Sequence, residues 1–61
     1  MTRTLLDQAE ASRDLARRAR RLAGELTADA DRQRLQRHAE ELDAQASELE
    51  ARAAREGRNP P

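Results

Sequence analysis

The densest cluster of one chemical type in this 61-residue chain is Arg17-Arg18-Ala19-Arg20-Arg21. Guanidinium groups hold phosphate oxygens through forked pairs of hydrogen bonds, so four of them within five positions make a candidate nucleic-acid contact. On a helix, Arg13, Arg17, Arg20 and Arg21 are expected to share the face opposite an apolar seam, forming an outward stripe that could follow a phosphate backbone. The competing reading is a solvated helix face. Asp14 precedes Arg17 by three and Arg18 by four residues, spacings at which opposite charges support a helix. Twelve arginines balance twelve acidic side chains, and no Phe, Tyr or Trp is present to stack on a base, so composition argues against nucleic acid.

His38 is the single histidine. With Glu41 three residues on, and with Asp31 or a second His38 supplied by another copy, it could contribute to a zinc or iron site in a helical bundle. Its order, His38-Ala39-Glu40-Glu41, is the reverse of the Glu-x-x-His used by di-metal bundles, and a lone histidine is ordinarily a boundary residue. No metal or cofactor is therefore expected. Nor does the chain contain a glycine-rich phosphate loop, or a nucleophile with a base and an orienting partner. The many carboxylates sit in patterns that expose them, where nothing perturbs their titration, and the expectation is a protein that is not an enzyme.

Positioning for these side chains can come only from helices. Every apolar residue is Ala, Leu or Met, and of the residue types that favour strands only threonine occurs. Ala, Leu, Arg, Glu and Gln all stand at the favourable end of the helix scale. Cysteine is absent, so neither disulfides nor thiolate metal sites can brace a domain of this size. No apolar run approaches the length of a signal-peptide core or a membrane span, which leads to the expectation of a cytoplasmic protein without a membrane partner.

The sharpest pattern is a narrow stripe from Leu35 through Ala39, Leu42, Ala46 and Leu49 to Ala53, alternating four and three. A broader seam precedes it: Leu5, Gln8 or Ala9, Ser12, Leu15 or Ala16, Ala19, Leu22 or Ala23, and Leu26. Carried forward on one helix at about 100° per residue, the two stripes face roughly 160° apart, so a continuous helix would bury opposite sides. The phase breaks in Thr27-Ala-Asp-Ala-Asp-Arg-Gln-Arg34, where Thr27 is a candidate N-cap and Asp29 and Asp31 suit the positive end of a helix dipole. The expected fold is all-α, an antiparallel two-helix hairpin in one domain over 1–61, with helix 1 over about 4–26 and helix 2 over about 28–56. Thr4 with Asp7 would cap the first helix. Gly24 either ends it or sits in its last turn, and Gly57 would end the second, leaving 57–61 as a frayed tail.

So few large side chains leave a lone hairpin wet on its flanks, and pairing two hairpins into a four-helix bundle is the expected remedy. The expected interface comprises Leu5, Leu15, Ala19, Leu22 and Leu26 with Leu35, Ala39, Leu42, Ala46, Leu49 and Ala53. Arginines crowd toward the loop and acids toward the open end, a distribution suited to two copies with loops at opposite ends.

The text from Arg20 to Ala53, RRLAGELTADADRQRLQRHAEELDAQASELEARA, resembles short uncharacterised proteobacterial proteins reading R-x-L-A, then D-x-x-R-x-x-L, then A-E-E-L. That resemblance implies a helical hairpin and no assigned activity, and the exclusive use of arginine, a mark of GC-rich coding, is in keeping with a bacterial source. In outline the chain is also similar to the small dimeric hairpins that bind RNA loops in plasmid copy control, though without the aromatic of their RNA-binding surface. The expected role is a non-enzymatic, self-associating interaction module. A nucleic-acid-binding regulator is one alternative, and an adaptor docking its Leu and Ala face on another protein's helix is the other.

Overall fold

The computed structural model describes residues 2–58, which form two helices, α1 (Thr2–Glu25) and α2 (Asp29–Arg58), packed along their length. Among the described residues there is no strand. The rod they make extends 51 × 13 × 9 Å. The all-α antiparallel hairpin read from the sequence is the observed fold. Asn59, Pro60 and Pro61, assigned above to a frayed tail, lie outside the described residues.

Helix boundaries differ from expectation by a few residues. Helix α1 starts at Thr2, so Thr4 is an exposed residue within the first turns and not a cap. Gly24 lies inside the final turn of α1, and Gly57 lies inside α2; neither has a positive φ. The left-handed cap that glycine favours is thus absent from both positions, and the helices simply run through them. The connection is the three residues 26–28, closed by the Leu26 N–H donating to the Ala23 carbonyl at 3.2 Å. The Arg32 N–H donates to the Ala28 carbonyl at 3.0 Å, which puts Ala28, and not Thr27, at the N-cap of α2. Asp29 and Asp31 do occupy the first turn, as the dipole argument requires, and they pair with Arg32 and Arg34 at i+3.

The core is a seam of small side chains. Ala9, Ala16, Ala19 and Ala23 of α1 meet Ala39, Ala46 and Ala53 of α2, and Leu5 and Leu42 are the two large side chains buried with them. Ala16, Ala19, Ala39 and Leu42 form one contiguous buried cluster, with Leu35 packed against its edge. Alanine lets two helix backbones approach closely but each buries little apolar area. Of the eight leucines in the chain, the hairpin buries two.

Candidate functional site

What distinguishes the hairpin is the contrast between its two flanks. On one side Arg13 and Arg20 of α1 stand roughly 60–80° from the centre of the seam on an ideal helix and reach α2. The Arg13 guanidinium donates to Glu50 at 2.6 Å, to Asp43 at 3.4 Å and to the Ser47 hydroxyl at 3.5 Å. Arg20 donates to the second Asp43 oxygen at 2.5 Å. Asp43 is therefore held between two arginines. The hydrogen bond from Arg20 holds its carboxyl below the ordinary carboxylate range, against the partial burial that would raise it. The Arg13 bond does the same for Glu50, and Arg13 is pushed upward by that bond in return. Residue 13 reaches residues 43 and 50 while residue 20, nearer the loop, reaches residue 43, the order an antiparallel pair requires.

The outward arginine stripe expected at 13, 17, 20 and 21 is accordingly corrected. Arg13 and Arg20 belong to the ion-paired flank because their helical phase sets them beside the seam, and Arg17 pairs with Asp14 on its own helix. Among the described residues, Arg21 alone of the four makes no ion pair. A phosphate backbone approaching this surface would have to displace carboxylates already bonded to the groups it needs.

The other flank is apolar and open. Leu15 is 49% exposed and Leu22 53% exposed. By phase they stand about 80–100° from the seam centre on the side away from Arg13 and Arg20. The alternatives left open at these places resolve in favour of alanine: Ala9, Ala16 and Ala23 face α2, and Gln8, Leu15 and Leu22 turn outward. Of the other interface residues, Leu5, Ala19, Ala39, Leu42, Ala46 and Ala53 are buried between the helices, while Leu26, Leu35 and Leu49 are half-buried. Reading by size misdirects here. Where leucine and alanine are neighbours, the larger residue looks like the core residue, but only alanine fits at the line of closest approach.

Surface concavities are shallow. One of 220 Å³ beside Leu49 is lined with Gln45, Glu48 and Arg52, all from α2, and one of 260 Å³ beside Leu22 is lined with Arg18, Arg21 and Glu25, all from α1. A third, of 290 Å³, lies between Arg20, Gln36 and Glu40 on the ion-paired side. His38 is exposed, and among the described residues no group of three or more His, Cys, Asp or Glu side chains is placed to hold a metal ion. No helix of the described residues is long and apolar enough to cross a membrane.

The fold and these flanks define a class, the short antiparallel helical hairpin with an alanine seam. Compared with protein-family models, with curated proteins and with solved structures, the chain finds no match.

Proposed function

We propose that this protein is a non-enzymatic interaction module whose hairpin is half of a four-helix bundle, completed by a second copy of the chain. The observation that carries the reading is the position of the leucines: Leu6, Leu15 and Leu22 are exposed and Leu26, Leu35 and Leu49 half-buried around a seam made mostly of alanine. A monomer that puts its large apolar side chains outside its own core leaves much of its hydrophobic stabilisation unused. Docking a second hairpin on those leucines recovers it, and short up-down helices ordinarily do so by forming four-helix bundles.

Thermal unfolding followed by circular dichroism over a dilution series tests this. A homodimer melts cooperatively at a midpoint that rises with protein concentration, whereas a self-sufficient monomer melts at a constant one. An adaptor for a different protein's helix would be poorly helical alone at every concentration. The nucleic-acid alternative draws least from the surface, because Arg13, Arg17 and Arg20 are bonded to carboxylates within the hairpin.

A further inference from the structure

Resting on that reading, we infer that the second copy docks on the Leu15–Leu22 flank and lies antiparallel to the first, with the two loops at opposite ends of the bundle. Two independent features carry this, one choosing the face and the other the direction.

The face follows from the difference between the flanks. On the Arg13–Arg20 side, Asp43 and Glu50 close the edge of the seam with charge-assisted hydrogen bonds, and a docking helix would have to strip water from that network. On the opposite side nothing polar bridges α1 to α2 among the described residues, and Leu15 and Leu22 stand clear of the seam. Leu49 of α2 leans to the same side by helical phase, and a shallow hollow opens beside it.

The direction follows from charge. Between Arg17 and Arg37, the loop half of the rod, seven arginines meet three acids; outside that stretch, five arginines meet nine. The loop half therefore carries +4 and the open half −4. Parallel copies would set like charge against like along the whole bundle, within the screening distance of about 8–10 Å in moderate salt. Antiparallel copies set +4 against −4 twice. Arg13, two residues from Leu15, bonds Glu50, next to Leu49, so both leucines belong to the central part of the rod and a two-fold axis there brings the central leucines of both copies together.

Cysteine is absent, so Thr27→Cys, in the exposed loop, gives a unique site for a spin label. Pulsed electron-spin distance measurement on this full-length variant, at a concentration where sedimentation shows the dimer, is expected to give a separation of about 35–50 Å, from twice the helical rise between Leu15 and Thr27 up to nearly the 51 Å length of the rod. A dimer with labels within roughly 20 Å, the width of a bundle with helices 8–10 Å apart, overturns the orientation and leaves self-association standing. A monomer by sedimentation overturns both. The face is tested with three leucines of nearly equal exposure, Leu6 at 48%, Leu15 at 49% and Leu22 at 53%. Leu15→Gln and Leu22→Gln are expected to raise the dimer dissociation constant by about tenfold or more, the usual effect of truncating an interface anchor, and Leu6→Gln on the ion-paired side by less than about threefold. Equal effects at all three, or a larger one at Leu6, overturn the choice of face. Recovery of full helicity by the Gln variants at high concentration separates lost association from a lost fold.

Discussion

Gly24 shows how a single residue type can suggest a structure that its surroundings do not need. In the sequence it stands where a helix-ending glycine would, yet its φ is helical and a Cβ built on it meets nothing within 4 Å. Glycine there costs conformational entropy without using its freedom. Gly24→Ala is therefore expected to stabilise the protein by up to about 1 kcal/mol, raising the melting midpoint by roughly 4–8 °C for a domain of this size. Differential scanning calorimetry measures it directly, and a lower midpoint would mean that the last turn of α1 needs glycine after all. Asp43 and Glu50 lead to a second expectation at this scale. Hydrogen bonds from Arg20 and Arg13 hold both carboxyls below their ordinary range, so the folded state binds protons less readily than the unfolded one. The stability they supply is complete above the unfolded pKa values of roughly 4 and is lost as pH falls through the lower folded values. Melting midpoints should fall on acidification below about pH 4, and Asp43→Asn should flatten part of that fall.

At the scale of the helices, the stripe of alternating Leu and Ala in α2 was fully legible, because a spacing of four and three leaves one choice of face. The seam of α1 was not: its pairs of adjacent candidates, Leu15 or Ala16 and Leu22 or Ala23, differ by one helical position, and hydrophobicity favours the wrong member of each. What decides between them is the distance between the axes, a property of the pair of helices and not of either alone. The ion-paired flank was hidden for the same reason. Arg13 and Asp43 are 30 residues apart, and only the register sets them together. If close approach is what selects alanine, then Ala16→Leu must push the helices apart: Ala16 is fully buried, and inserting three heavy atoms there is expected to cost about 1–3 kcal/mol. Urea unfolding at fixed protein concentration checks this, and a neutral or stabilising result would show that the seam has room to spare.

For the whole molecule the question is whether the hairpin is a folded unit at all without the second copy proposed for it. Its seam of seven alanines and two leucines buries little area, and a chain of about 60 residues without disulfide or metal is marginal even with an ordinary core. Helices in isolation gain little, since helical stability in proteins comes mainly from packing an apolar face. In the proposed bundle the exposed Leu15 and Leu22 would supply more stabilisation than they do in the hairpin, and folding and association would become one event. On dilution, helicity by circular dichroism should fall over the same concentration range in which sedimentation shows dimers giving way to monomers. A monomer that keeps its helicity would place enough stability inside the alanine seam to fold one chain, and would make association a later docking of preformed rods. The Arg13, Arg20, Asp43 and Glu50 network would then be what holds the separate hairpin closed, and the acid sensitivity expected for those carboxylates should appear in the monomer as well.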